Sequence, residues 1–247
     1  MLRNVLAIVY HTSISAPLLA SLLAPLAVHA QPARDLRMEY RKTERGGYTG
    51  ILKNQHGAAA TAYIAQATFR HEGKQHPTAW GGDTMAFPSG GYPLPPGSVT
   101  DTNNALPPGA EPLTTGIMAA IYADGYTEGD QSVIQMLLAG RHRSYLDLTP
   151  AIQWLEQAAA GKMDGPALNR KFQELRDRNL AEAKQLDDLI SVPSVRYAIF
   201  MTAAPNHAIG MLQTVQKPDG LLPVALTLAA EYRKWLALLR ESKPDIK

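Results

Sequence analysis

Cysteine is absent from this chain of 247 residues. The absence excludes disulfides, zinc sites built on thiolates, a cysteine nucleophile and a lipid attached to cysteine. An excess of charge of one sign is also missing, because 24 Lys and Arg residues nearly balance 22 Asp and Glu residues. The formal net charge of +2 gives no reason to expect binding to nucleic acid or to an anionic membrane. Hydrophobic residues still make up 45% of the chain, enough to build a core without cross-links.

A hydrophobic run long enough to span a membrane is missing too. The apolar stretch at residues 16–28 falls short of the ~20 residues that a spanning helix needs. The only charged residue before it is Arg3, and a Val-His-Ala sequence ending at Ala30 places small residues where a signal peptidase reads the chain. This pattern is typical of a secretory signal peptide at residues 1–30, with an uncleaved anchor as the alternative. We therefore expect an exported protein, periplasmic or extracellular, with no transmembrane span after signal cleavage.

Residues 35–125 have the sequence pattern of β-structure. Residues 36–40 alternate apolar and charged, residues 61–69 are rich in β-branched and aromatic side chains, and residues 117–122 form a short apolar run. Residues 77–116 contain eight Pro and seven Gly, which excludes a helix there. Short strands with Pro and Gly between them predict a small antiparallel β-sandwich of immunoglobulin-like type.

Residues 130–243 instead space their apolar residues by three and four, which predicts antiparallel helices packed on one another and on the sandwich. Asp130 is the expected N-cap of the first helix. Thr149-Pro150 is predicted to open a separate short helix that ends at Gly161. The next helix carries an apolar stripe with Leu168, Phe172, Leu175, Asn179, Leu186 and Ile190. The predicted fold class is therefore α+β, a β-sandwich followed by a helical region.

The junction of the two parts contains an Ala-Asp-Gly-x-Thr-x-Gly-Asp turn at residues 123–130. This turn, between an apolar strand and a helix, resembles that of a group of uncharacterised exported bacterial proteins. The group shares a strand similar to residues 61–64 and a Pro-Pro-Gly segment like residues 95–97. The resemblance covers roughly residues 50–147 and implies a β-domain followed by helices. It implies no activity, because the group has none assigned, and so it indicates no catalytic residues.

Three carboxylates in that turn form the strongest chemical motif, namely Asp124, Glu128 and Asp130. Oxygen ligands of this kind suit calcium, and Gly129 stands where an EF-hand loop has its glycine. The twelfth loop position is Gln135 instead of the bidentate Glu of that motif. The alternative, which we favour, is a tight strand-to-helix turn in which glycines adopt positive φ and Asp130 caps the helix. Calcium at these three carboxylates is the one cofactor considered, and no catalytic residue is assigned.

Histidine and arginine motifs each have a structural alternative. His71 and His76 are five residues apart on a Gly-containing turn, so they miss the H-E-x-x-H spacing that places two ligands on one helical face. A three-histidine site with His56 is weighed against surface-loop histidines. Arg141 and Arg143 either bind an anionic group or complement the dipole at a helix C-terminus. The G-x-S-x-G, S-x-x-K and Walker A motifs are absent from the sequence.

Aromatic residues beside the Pro/Gly-rich segment are candidate contact residues. Trp80, Tyr92 and Tyr122 either bind an envelope protein or a glycan on exposed loops, or fill the core of the sandwich. Trp154 and Trp235 lie among aliphatic residues at helical spacing and are expected to pack in the core.

The leading functional hypothesis is a non-enzymatic interaction or structural module of the cell envelope or periplasm. One alternative is a metal-assisted, hydrolase-like enzyme that uses the carboxylates at residues 124–130 with His71 or His76. The other is a small-molecule carrier with a pocket between helices, and its predicted lining residues are Trp154, Phe172, Tyr197 and Trp235.

Overall fold

A computed structural model describes residues 33–85, 93–192, 195–215 and 220–241. The predicted signal peptide and Tyr92 lie outside these residues. Within them, seven strands precede five helices. The strands are β1 Leu36–Lys42, β2 Tyr48–Asn54, β3 Ala60–His71, β4 Lys74–Asp83, β5 Val99–Leu106, β6 Glu111–Tyr122 and β7 Thr127–Gly129. The helices are α1 Gln131–Ala159, α2 Gly165–Leu186, α3 Tyr197–Met201, α4 Ala203–Gln213 and α5 Leu221–Glu241, with a 3-10 turn at Asp187–Leu189.

The strands form two antiparallel sheets. One has the order β1-β2-β5 and the other the order β4-β3-β6-β7. His71 pairs with Lys74, so only Glu72 and Gly73 connect β3 to β4. Both residues have positive φ, 51° and 75°, as a two-residue type I′ hairpin requires. The predicted strands at residues 36–40, 61–69 and 117–122 are confirmed, each as part of a longer strand. The fold is α+β with antiparallel sheets.

The two sheets share a buried apolar cluster. Leu36, Met38 and Leu52 of the three-stranded sheet pack there with Ile117 and Tyr122 of the four-stranded sheet. A hydrogen bond from Thr115 Oγ1 to the carbonyl oxygen of Met38, 2.9 Å long, joins β6 to β1. The inner face of each sheet is thereby removed from water.

The outer face of the four-stranded sheet packs against the helices. Ile64 and Ile121 lie in one hydrophobic cluster with Val133 and Leu137 of α1 and with Phe200 of α3. This sheet is therefore covered on both faces, which explains why residues 117–122 form an uninterrupted apolar run instead of alternating with polar residues. Sheet and helices meet in a common core at this layer.

A buried ion pair joins the same sheet to α1. Arg141 donates to both carboxylate oxygens of Asp83, at 2.7 and 3.0 Å, and to Thr61 Oγ1 at 2.9 Å. Both charged side chains are buried. Because α1 continues for eighteen residues beyond Arg141, up to Ala159, this arginine does not lie at a helix C-terminus. The dipole interpretation of Arg141 is wrong, and its partner is Asp83.

Helix α1 runs through Pro150, so the prediction of a separate helix opening at Thr149-Pro150 is wrong. Pro150 leaves the carbonyl of Leu146 without its helical donor, but Leu146 is exposed and water can hydrate that carbonyl. Leu148 and Leu155, on either side of the proline, are fully buried in the helical core and hold the two segments in line. The predicted end is confirmed, since Gly161 follows the helix with φ 69°.

The remaining helices bury the apolar stripes that the sequence predicts. Helix α2 buries Leu168, Phe172, Leu175 and Asn179, and α5 buries Trp235. Pro205 lies in the first turn of α4, where a missing N–H costs no helical hydrogen bond. None of the helices in the described ranges is both long and apolar enough to cross a membrane.

We expect Gly140→Ala to destabilise the protein by about 1–3 kcal/mol, because a Cβ on Gly140 would lie 2.5 Å from the Cβ of Phe200. The matched control is Gly210→Ala in α4, where a Cβ meets no atom within 4 Å. That change should stabilise by about 0.5–1 kcal/mol. Urea unfolding of both variants measures the difference, and equal stability of the two would contradict the close helix contact.

We expect Arg141→Met to cost about 3–5 kcal/mol, because it leaves the Asp83 carboxylate buried without its cation. The double variant Arg141→Met with Asp83→Asn should regain part of that loss, since no charge then remains buried unpaired. Breaking the exposed pair of Arg41 and Asp101 by Arg41→Met should cost about 1 kcal/mol or less. Denaturant midpoints test all three, and an Arg141→Met variant as stable as Arg41→Met would refute the account of the buried pair.

Candidate functional site

Three separate parts of the chain meet around one histidine at an end of the sheets. Asp35 precedes β1, His56 lies between β2 and β3, and Asp124 lies between β6 and β7. The His56 ring places Nδ1 3.1 Å from Asp35 Oδ2 and Nε2 2.9 Å from Asp124 Oδ2. Asp124 is held by its own turn, because its Oδ1 accepts from the backbone N–H of Tyr126 at 3.1 Å. The imidazole thus bridges two carboxylates that come from opposite ends of the β-region.

Two tyrosine rings contact the imidazole. Tyr126 is nearly parallel to His56, with ring centroids 4.8 Å apart, and Tyr122 is tilted against it at 4.2 Å. The two tyrosines also contact each other, at 5.7 Å. Tyr122 is buried, whereas Tyr126 is 47% exposed. The most exposed ring of this cluster is therefore Tyr126, which is stacked on His56.

Glu128 lies beneath this cluster and holds the start of β1. Its carboxylate accepts backbone N–H bonds from Arg34, Asp35 and Leu36 at 2.6, 3.1 and 2.9 Å. It also accepts from the Tyr122 hydroxyl at 2.5 Å. Burial, followed by the contact with Glu128, raises the pKa of Tyr122 far above its usual range. Glu128 is therefore occupied by four donors of the protein itself.

Asp130 caps α1, as the sequence predicts. Its Oδ1 accepts from the backbone N–H of Ser132 at 2.8 Å and of Val133 at 3.4 Å, while Oδ2 accepts from Ser191 Oγ at 2.9 Å. Burial acts to raise the pKa of Asp130, but these hydrogen bonds outweigh it, and the pKa lies below its ordinary value. The cap fixes the direction in which the chain leaves β7.

The three candidate calcium ligands are directed to three different sets of partners. Asp124 faces His56, Glu128 faces the start of β1, and Asp130 faces the first turn of α1. Among the residues that the structure describes, no group of three or more His, Asp or Glu side chains is arranged to hold a metal ion. The turn uses its carboxylates to bind different segments of the chain.

The histidines of the enzyme alternative lie at the other end of the sheet. Ala60, at the start of β3, pairs with Tyr122, whereas His71 ends the same strand and His76 is its neighbour on β4. Twelve residues of extended chain separate His71 from Ala60 by about 35 Å. The structure therefore does not bring His71 or His76 together with Asp124, and it keeps both apart from His56.

The remaining candidates are engaged within the helical region. Arg143 donates to Asp147 at 2.7 Å and to Glu182 at 3.0 Å, inside α1 and across to α2. The lining residues predicted for a carrier are divided between two hydrophobic clusters. Trp154, Phe172 and Trp235 pack in one, with Trp154 edge-on to Phe172 at 5.7 Å, and Tyr197 is buried in the other.

No sequence motif connects Asp35, His56 and Tyr126. His56 is 21 residues from Asp35 and 68 from Asp124, and no spacing rule connects loops at such distances. The available signal was Tyr126, an aromatic residue inside the polar turn at residues 123–130, where it interrupts the calcium-loop pattern.

We expect Glu128→Gln to destabilise the protein by about 1.5–3 kcal/mol, because hydrogen bonds to a charged acceptor are replaced by those to a neutral amide. The loss should be accompanied by faster hydrogen exchange at the Leu36 amide. Glu111→Gln is the control, since Glu111 is exposed and pairs with Arg70 at the surface. If both variants unfold at the same denaturant concentration, Glu128 does not anchor β1.

No protein family, no curated protein and no solved structure matches the chain. The interpretation of the site therefore rests on its own geometry.

Proposed function

We propose that the protein is an exported, non-enzymatic interaction module of the cell envelope or periplasm. The observation that carries the proposal is the exposed ring of Tyr126, held on His56 between two partly exposed carboxylates. We call the surface formed by Asp35, His56, Asp124 and Tyr126 the Tyr126 face. Its partner in this proposal is an envelope protein or a glycan.

The Tyr126 face has the properties of a contact surface. Tyrosine buries a large rigid ring on binding and offers a polar hydroxyl, and such residues contribute much of the energy of protein interfaces. The Tyr126 ring is stacked on His56, and the backbone N–H of Tyr126 donates to Asp124, so that binding orders little further. Asp35 and Asp124, with side chains 41% and 49% exposed, leave carboxylate oxygens accessible to donors of a partner.

The environment of the other acidic groups supports a non-enzymatic role. Glu128 and Asp130 accept hydrogen bonds from backbone amides that must be satisfied for β1 and α1 to form. The enzyme alternative needs these carboxylates near His71 or His76, and the carrier alternative needs Phe172 and Trp235 to line a space, although both rings are buried in a packed cluster. Neither the enzyme nor the carrier alternative is supported by an observation comparable to the Tyr126 face.

Export belongs to the proposal as well. It is supported by the pattern of residues 1–30, a basic start, an apolar stretch and small residues before a cleavage position after Ala30. The immunoglobulin-like form of the sandwich is likewise proposed, and two antiparallel sheets around one core support it.

A photo-crosslinking amino acid at position 126, in cells of the native host, tests the proposed contact surface. Position 189 is the matched control, because Leu189 is 46% exposed and lies in the helical region. We expect a defined crosslinked envelope component from position 126 only, suppressed by excess wild-type protein and not by the Tyr126→Ala variant. Equal products from both positions, or none from position 126, would contradict the proposal.

The mass of the protein isolated from the same cells tests export. Export with cleavage of the signal peptide predicts a mature chain that starts at Gln31.

A further inference from the structure

The contacts of His56 depend on how many protons its ring carries. A neutral imidazole has one N–H and one acceptor nitrogen, whereas the protonated ring donates from both nitrogens. Both ring nitrogens of His56 face carboxylate oxygens, at 3.1 Å and 2.9 Å. A carboxylate offers no donor, so only the protonated ring forms both hydrogen bonds. Asp35 and Asp124 are therefore connected through His56 in one protonation state and not in the other.

The groups around the imidazole come from three elements. Asp35 faces it from the segment before β1, and Asp124 and Tyr126 face it from the turn between β6 and β7. Tyr122 of β6 contacts the ring and donates a hydrogen bond from its hydroxyl to Glu128. The titratable neighbours of the ring are thus two carboxyl groups and two tyrosines, and the two carboxylates favour a cationic ring.

We propose that His56 is a proton-operated latch that regulates the Tyr126 face. In its protonated form it connects Asp35 to Asp124 and so holds the start of β1 against the turn that carries Tyr126. Loss of one proton removes one of the two hydrogen bonds and loosens this connection. The inference rests on the proposed function, because the surface that it regulates is the proposed contact surface.

The direction of the pH dependence follows from the neighbours of the two groups. The hydrogen bond to Asp124 raises the pKa of His56 although burial opposes it, and the bond to Asp35 adds to the rise. The stabilisation from His56 is therefore complete below its ordinary pKa of 6.5 and is lost as pH rises through the raised pKa. The same contact lowers the pKa of Asp124, whose contribution is complete above its ordinary 3.8 and is lost as pH falls through the lowered pKa. The latch is fully closed between these two ordinary values.

The two hydrogen bonds are not equivalent. The contact with Asp124 is the shorter one, which favours the tautomer that keeps its proton on Nε2. Deprotonation of Nδ1 then removes the bond to Asp35 and keeps the bond to Asp124. Glu128 still binds the amides of Arg34, Asp35 and Leu36, so the start of β1 is loosened and not released.

NMR of the purified mature protein between pH 4.5 and 8.5 tests the latch. We expect the His56 ring to titrate with a midpoint above pH 6.5. The hydrogen-exchange protection of the Asp35 and Leu36 amides, corrected for the intrinsic exchange rate, should fall several-fold as pH rises through the same midpoint. His56→Gln should abolish that pH dependence. His207→Gln is the matched control, because His207 also lies near a carboxylate, with Nε2 3.8 Å from Glu231, and should leave the curve unchanged.

A second variant keeps the test decisive if His56→Gln does not fold. Asp124→Asn removes one carboxylate from an exposed turn and should lower the His56 midpoint toward 6.5. Three results would each overturn the latch. They are a His56 midpoint at or below 6.5 in the wild type, amide protection that does not change as His56 titrates, and an unchanged His56 midpoint in Asp124→Asn.

Crosslinking from position 126 at pH 5.5 and at pH 8 distinguishes failure of the latch from failure of the proposed function. A pH-independent product leaves the interaction module standing and overturns the latch. A His56 ring that titrates as expected, without any crosslinked product, keeps the pH-dependent connection of Asp35 to Asp124 but contradicts the proposed contact surface.

Discussion

The turn from Asp124 to Asp130 determines how the rest of the structure is connected. Gly129 makes this possible, since its φ of 103° brings the chain so close to β6 that a Cβ would lie 2.0 Å from the carbonyl oxygen of Met118. Three carboxylates lie within these seven residues. Asp124 binds His56 in the loop after β2, Glu128 binds the start of β1, and Asp130 caps α1. Each accepts hydrogen bonds from a different set of backbone or ring donors. The sheets, the first helix and the Tyr126 face therefore share one local constraint.

This constraint explains why the acidic motif and the exposed ring belong to the same surface. A turn that uses its side chains to bind other segments holds Tyr126 in a fixed position at its tip. The buried pair of Arg141 and Asp83 also fixes α1 to the same sheet, so that turn, sheet and helix form one framework. A rigid framework with an oriented aromatic residue at its surface is the arrangement that a contact surface requires.

The features that the amino-acid sequence predicts correctly are those that local interactions determine. The Asp130 cap, the stripe of α2 and the β3–β4 turn each depend on neighbours within a few residues, and each was predicted. Pro150 was misjudged because burial of Leu148 and Leu155 in the helical core outweighs the local preference of a proline. The bridge of Asp35, His56 and Asp124 was missed because the register of distant strands decides which loops meet, and that register depends on packing of the whole sheet.

Thermal unfolding of the mature protein with millimolar calcium and with a chelator tests most directly whether the carboxylates of this turn bind the protein's own segments. A ligand that binds only the folded state raises the free energy of unfolding by RT ln(1 + [L]/Kd). Our account predicts the same midpoint with calcium and with chelator. A higher midpoint in calcium that disappears in an Asp124→Asn variant would contradict it, because the turn would then be a metal site.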